Sequence, residues 1–475
     1  MSSKKCENRV VRDTGQDRIV YALVAYMVAS ITLLLVVLLS IPYLKGPAHS
    51  RLRPLTVDRP SSPPIAESVE QGRDGPQDIL QLLPDTEFDK SAEVTGCPFP
   101  GNVRAKCMDA ADGKLYAQGL SGSTGPYSAL MQDVVTGRES SNHGSNLLEI
   151  PNGTLLLTWF SGPFEGESGV AIVLSRLDPG SQRWTRPVEI SVEVGRSAQN
   201  PVLFYDNKNS ALMLLHTSQL AKKGQATAEV RQLKSLDMGA TWQPHTVPFH
   251  DPGAFVRNSL LHSQDGESVL LPMYYTPDGF AKFRTHYSTL RRTSDGGATW
   301  TETHMTQKGE WLAQPSVVRL ANDTLVAFFR DRRGEYIYRS TSEDDGLTWS
   351  PARRTRLPSN NSGLQAVLLA SGWIALVFNN VAGGSAGPRF PLSLALSQDA
   401  GVSWPYVRDI EIADGTDVLH LGRRQEWSYP SIVQNRQGLL QISYTFRRDT
   451  IKHVVVTQEW VEGGTTVGNY KPREV

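Results

Sequence analysis

Net charge is missing from this chain: 48 lysines and arginines balance 48 aspartates and glutamates across 475 residues. No basic cluster stands out either, which argues against nucleic acid as a partner. Cysteine is scarce, three in all, at Cys6, Cys97 and Cys107. Cys97 and Cys107 are close enough in sequence to close a small disulfide loop, or else remain two buried thiols. Cys6 is either an inert thiol or an acylation site.

Charge is also missing locally. Ile19 to Leu44 contains no charged side chain over 26 residues. At about 1.5 Å per residue such a run exceeds the roughly 30 Å hydrocarbon core, so a transmembrane helix is expected over 19–44. The rival reading is a cleaved signal peptide, against which stand the length of the run and a weak cleavage pattern. Lys4, Lys5, Arg9, Arg12 and Arg18 precede the run. That bias favours a cytosolic arm over 1–18 and a single-pass type II topology. From 45 to 96 the chain lacks apolar runs and carries repeated prolines, such as Pro47, Pro54, Pro60, Pro63 and Pro64. It reads as an extended stem. Asn152, Asn322 and Asn360 head Asn-x-Ser/Thr sequons, which fits a Golgi-lumenal or extracellular location for the rest.

What is present is a repeat. Ser235 to Trp242, Thr293 to Trp300, Ser342 to Trp349 and Ser397 to Trp404 each read Ser/Thr-x-Asp-x-Gly-x-Thr/Ser-Trp. Their tryptophans are 58, 49 and 55 residues apart, with a degenerate copy at Ser175, Asp178, Gly180 and Trp184. One supersecondary unit therefore recurs every 50 to 60 residues. The residue types suit a tight turn, with Asp accepting from backbone N–H groups, Gly at positive φ and Trp filling the space beneath. Short apolar runs at Thr154 to Phe160, Ser268 to Met273, Thr324 to Phe329 and Trp373 to Phe378 each follow a hairpin-type turn. Radial four-stranded blades satisfy such a repeat, and residues 97–475 leave room for six.

The repeated pattern resembles the Asp box of the sialidase (neuraminidase) clan. That resemblance implies an all-β, six-bladed propeller with its boxes on the side away from the active site. It also implies a site of three arginines holding a carboxylate, a tyrosine nucleophile activated by a glutamate, and an aspartate as acid/base. A tyrosine suits an anomeric carbon that already bears a carboxylate, because a neutral attacking group avoids charge repulsion. Arg330, Arg389 and Tyr429 occupy positions similar to the family's second arginine, third arginine and nucleophile.

The departures are equally specific. His143 stands where the family has its first arginine, and Gln314 stands where it has the activating glutamate. An amide cannot accept a proton from tyrosine. Glu165 and Glu167 occupy the loop of the acid/base. Corresponding strand ends of a propeller converge on the axis, so Arg257 and Arg447 are expected to join Arg330 and Arg389 in an anion pocket. Glu426 would face away from Tyr429 unless a bulge intervenes. Three functions fit: a membrane-anchored sialidase-like glycoside hydrolase of terminal acidic sugars, a uronate polysaccharide lyase with His143 and Tyr429 moving protons, or a non-catalytic glycan-binding propeller. None calls for a metal or organic cofactor.

Overall fold

The computed structural model of the chain describes residues 116–120 and 141–474, apart from 182–183, 385–386, 413–425, 449 and 467–472. The expected cytosolic arm, transmembrane helix, stem, Cys6 and the Cys97–Cys107 pair lie outside the described residues. Among the described residues, no helix is long and apolar enough to cross a membrane.

Each of the four apolar runs of the sequence becomes the second strand of an antiparallel blade, and two further blades have a second strand of the same kind. These strands are Leu155–Gly162, Ala211–Leu220, Val269–Tyr275, Leu325–Asp331, Ile374–Asn379 and Leu440–Phe446. They are buried almost throughout, because each is flanked by strands of its own sheet and covered on both faces by neighbouring blades. That is why they read as continuous hydrophobic runs rather than alternating ones.

Six such sheets follow one another along the chain. Their inner strands are Ser141–Glu149, Arg196–Asp206, the pair Ala254–Val256 and Leu261–His262, Leu312–Arg319, Gln365–Leu368 and Trp427–Gln434. Apolar clusters lie between every successive pair of blades. The last of them joins the sixth blade back to the first, with Ile451 packed among Leu147, Leu157, Trp159 and Trp184. Inner strands are further stitched side chain to backbone. Leu203 N–H donates to Asn146 Oδ1 at 2.9 Å, Ala366 N–H to Ser316 Oγ at 2.9 Å, and Leu147 N–H to Ser431 Oγ at 2.9 Å.

The sixth blade takes its outer strand from the other end of the molecule. Tyr116–Leu120 runs antiparallel to Thr450–Val456, with Leu120 opposite Ile451. The ring is thus closed by chain from both directions.

The boxes behave as their residue types demand. In each, Asp237, Asp295, Asp344 or Asp399 accepts from the N–H of the box Thr or Ser four residues on, at 2.8 to 2.9 Å. Gly239, Gly297, Gly346 and Gly401 sit at φ 84 to 89. An arginine of the preceding blade latches onto three of the turns: Arg176 to Met238 O, Arg292 to Asp345 O and Arg339 to Ala400 O. The tryptophans correct one expectation. Trp404 is buried, whereas Trp242, Trp300 and Trp349 are only half-buried; the Trp300 ring still lies against its own turn, with Nε1 donating to Gly297 O at 3.1 Å.

Candidate functional site

The inner strands share a second irregularity at the end away from the boxes. Register shifts fall between His143 and Asn146, Gln199 and Val202, Ala313 and Ser316, and Ser428 and Ser431. In each shift one residue is left-handed: Gly144 at φ 66, Asn200 at φ 47, Gln314 at φ 52 and Tyr429 at φ 49. Asn361, at φ 57, precedes the fifth inner strand, and Arg257 and Asn258 interrupt the third. A bulge bends its strand and re-aims a side chain. Left-handed backbone is unfavourable for Asn, Gln and Tyr, and persists where the surroundings impose it. The fold thus turns one residue per blade out of the regular alternation at one end of the axis.

Tyr429 is the centre of this ring. Its hydroxyl oxygen accepts from Arg330 Nη1 at 2.6 Å. The same Nη1 donates to Gln314 Oε1 at 3.1 Å, and Arg330 Nε donates to Asn361 Oδ1 at 2.8 Å. Since a guanidinium only donates, Gln314 must turn its oxygen to Arg330 and its nitrogen to Tyr274, whose hydroxyl accepts at 3.2 Å. Arg257 and Arg389 place their guanidinium carbons 5.3 Å from the Tyr429 ring centroid. Burial opposes ionisation of Tyr429, yet Arg330 and Arg389 outweigh it and bring the phenol down to about 8. Tyr274 moves the other way, pushed up by burial.

Three cations here lack anions. Arg257, Arg330 and Arg332 are 1 to 2% exposed, and among the described residues no carboxylate pairs with any of them. Arg257 donates instead to Ser145 O at 3.2 Å and Pro430 O at 2.8 Å, and its Nε has no partner. Arg332 lies over Tyr274 and Phe283 with Nε and one Nη unpartnered. Burial brings the arginines at 257 and 332 down to about 10. A buried charge without a counter-ion is costly, so the fold holds this cluster against its own stability.

Beside it sits a second, neutralised cluster. Glu426 accepts from Arg389 Nη1, from Arg448 Nε at 2.9 Å and from Ser428 Oγ at 2.7 Å. Burial alone would raise Glu426, but Arg389, His143 and Arg448 hold it far below the usual carboxylate range. Arg448 also donates to Glu165 Oε2 at 2.6 Å and lies 3.3 Å from His143 Nε2. That contact decides the His143 tautomer. Nε2 faces a pure donor, so it holds the lone pair, and Nδ1 carries the proton toward Thr445 Oγ1 at 2.8 Å. Burial, then Arg448, pushes His143 well below its ordinary value. Its ring centroid is 4.3 Å from that of Tyr429.

The structure therefore brings together Tyr429, Arg330, Arg389, Arg257, Gln314 and His143, with Glu165 at the edge. It separates others. Arg448 reaches the cluster in place of Arg447, whose guanidinium lies 5.1 Å over the Phe446 ring. The two follow each other at φ 56 and φ 61, a turn in which strand alternation gives no guide. Glu165 rather than Glu167 engages the site. A bulge does intervene at Tyr429, but the Glu426 carboxylate is taken up by Arg389, Arg448 and Ser428. Tyr274, Arg332, Asn361 and Thr445 are additions. A polar or aromatic residue followed by proline, as in Asn200-Pro201, Gln314-Pro315 and Tyr429-Pro430, was the readable sign of the bulges.

A cavity of about 480 Å³ adjoins the cluster, lined by Glu165, Gln199, Gln219, Lys223, Gln225 and Asp278 among others. None of the lining residues is aromatic. Glu165 belongs to both the cavity and the Arg448 contact.

No curated protein sequence matches the chain. Solved structures do. A protein of unknown function from Dyadobacter fermentans superposes with a TM-score of 0.57 at 16% identity, over 72% of this chain and 98% of that one. The NanB sialidase of Streptococcus pneumoniae gives 0.56 at 12% identity, over 68% and 69%. The alpha-L-arabinanase of Penicillium chrysogenum gives 0.51 at 14%, over 72% and 98%. At these identities the likeness is one of fold, and it spans more than one glycan-directed activity. The family model described as the BNR repeat-like domain matches residues 153–442, more than half of the chain. With the boxes and the six blades, this places the protein in the BNR repeat-like family, as a sialidase-like propeller.

Proposed function

We propose that the propeller is a glycoside hydrolase of sialidase type, acting on a terminal acidic sugar. The observation that carries this reading is the trio Arg257, Arg330 and Arg332, buried around two tyrosines with no carboxylate of the protein's own. A ligand carboxylate would supply the missing anion, and guanidinium forks match its geometry. Arg389 is less suited to that part than its sequence position implies, because Glu426 already neutralises it. Tyr429 would attack the anomeric carbon as the phenolate that Arg330 stabilises. Glu165, at the edge of the adjoining cavity, would protonate the leaving oxygen and later activate water. Gln314 cannot take the phenol's proton, so ordinary sialosides are expected to turn over weakly, and a different acidic sugar better.

The lyase reading needs His143 as a base, and its lone pair is covered by Arg448. The two readings part on the product, since elimination leaves a double bond that absorbs in the ultraviolet and hydrolysis does not.

The test is calorimetric titration with N-acetylneuraminic acid and with glucuronic acid, in the wild type and in Arg257→Met, Arg330→Met and Arg332→Met. Loss of one charge-assisted contact should weaken binding of the preferred acid by about tenfold or more. Equal affinity in all four proteins would refute the pocket.

We also propose that the chain is a single-pass type II membrane protein with the propeller in the Golgi lumen or outside the cell. The charge-free run 19–44 and the sequons support this.

A further inference from the structure

The three sequons are not equivalent in the fold. Asn152 and Asn322 both occupy the turn between the first and second strands of a blade, after Glu149 and after Arg319. Both are exposed. In each, the side-chain oxygen accepts from the N–H of the sequon threonine, Thr154 at 3.0 Å and Thr324 at 3.3 Å. This Asx turn engages the oxygen and leaves the amide nitrogen, the atom that glycosylation uses, on the other branch. Asn360 is different. It lies in the connection between the fourth and fifth blades, is 4% exposed, and its amide nitrogen donates at 2.5 Å to Pro388 O, in the loop between the second and third strands of the fifth blade. No sugar fits there without breaking that contact and opening the blade junction.

We propose that Asn152 and Asn322 are N-glycosylation sites and that Asn360, despite its sequon, is not. This rests on the lumenal topology proposed above. The reaction joins the amide nitrogen to the anomeric carbon of a lipid-linked pyrophosphate oligosaccharide. The bond from that carbon to the pyrophosphate oxygen breaks, the amide gives up one proton, and no redox change occurs. Placement gives the pair a consequence. The turns belong to the first and fourth blades, which oppose each other across a ring of six, and lie at the box end. Two glycans there cover the face away from Tyr429 and leave its face open.

The experiment uses the full chain expressed in eukaryotic cells. Sealed microsomes are treated with protease, and the protected protein is deglycosylated enzymatically in heavy-oxygen water, digested and analysed by mass spectrometry. The expected result is labelled aspartate at 152 and 322 and unmodified asparagine at 360. Unmodified Asn152 and Asn322 in a protease-protected propeller overturn the proposal while the topology stands. Labelled aspartate at 360 in folded protein overturns the exclusion. A propeller digested from outside intact microsomes shows that the topology itself is wrong, and the proposal falls with it. As a control on folding, Asn360→Gln should lower thermal stability, whereas Asn152→Gln and Asn322→Gln should change only the mass.

Discussion

Arg330 donates to the Tyr429 hydroxyl at 2.6 Å while Gln314 and Asn361 fix the rest of its guanidinium. The phenol oxygen thus faces a cation that cannot rotate away, and the phenolate is favoured without any carboxylate to take the proton.

The Tyr429 phenol, at about 8, should therefore be the earliest tyrosine to ionise in an ultraviolet difference titration. Arg330→Gln should move that step upward by about one to two pH units, since a charge-assisted bond contributes roughly 1.5–3 kcal/mol and one unit is about 1.4 kcal/mol. Tyr429→Phe should remove it. A first step that survives Tyr429→Phe would assign the low value to another residue.

Gln314→Glu puts a carboxylate between Arg330 and Tyr274, 3.1 and 3.2 Å from them in the wild type. If the site is a drifted sialidase, hydrolysis of an aryl sialoside should rise by about a hundredfold, the lower end of general-base effects. His143→Ala should leave that gain intact, because Arg448 occupies the imidazole lone pair. Loss of the gain in the double variant would restore His143 as the base.

Acid should destabilise the propeller through buried histidines. Burial holds His453 at about 3 and both His216 and His286 at about 4. Their folded values lie below the unfolded 6.5, so the unfolded chain binds more protons in the window between. Stability is full above about 6.5 and falls as pH drops toward 3 to 4, by up to about 1.4 kcal/mol per unit for each group. Thermal midpoints measured between pH 7.5 and 5 should decline, and His453→Gln should flatten the decline. An unchanged slope would mean that His453 does not stay neutral.

The box tryptophans should differ in weight. Trp404 is 3% exposed and packs 5.6 Å from Phe328 between the fourth and fifth blades. Trp404→Ala should cost on the order of 3–5 kcal/mol in denaturant unfolding. Trp300 is half-buried, and its replacement should cost less than half as much. Equal losses would mean that burial does not govern the boxes.

Much of this was legible in the sequence because it is local. A box is written in eight consecutive residues, and a strand covered on both faces is written as an apolar run. Tyr429, Arg330 and Gln314 were found by their order along blades that could already be counted. Tyr274 escaped because it sits inside Val269–Tyr275, where every neighbour is buried and a phenol looks like one more core side chain. Arg332 follows Arg330 and Asp331 past the strand end, and nothing in that spacing tells a buried guanidinium from a solvated one. The pairing of Glu426 with Arg389 and Arg448 links residues 37 and 22 apart, separations that no local pattern encodes.

Tyr116–Leu120 has a consequence in time. It is among the first parts of the propeller to be synthesised, yet its partner strand, Thr450–Val456, is among the last. The sixth blade thus holds the most non-local pairing among the described strands, and the ring cannot close until Thr450–Val456 has been synthesised. Until then the edge that Tyr116–Leu120 will cover stays unpaired, open to strand exchange with a neighbouring chain. Tyr429 sits on the inner strand of the blade that this late pairing completes.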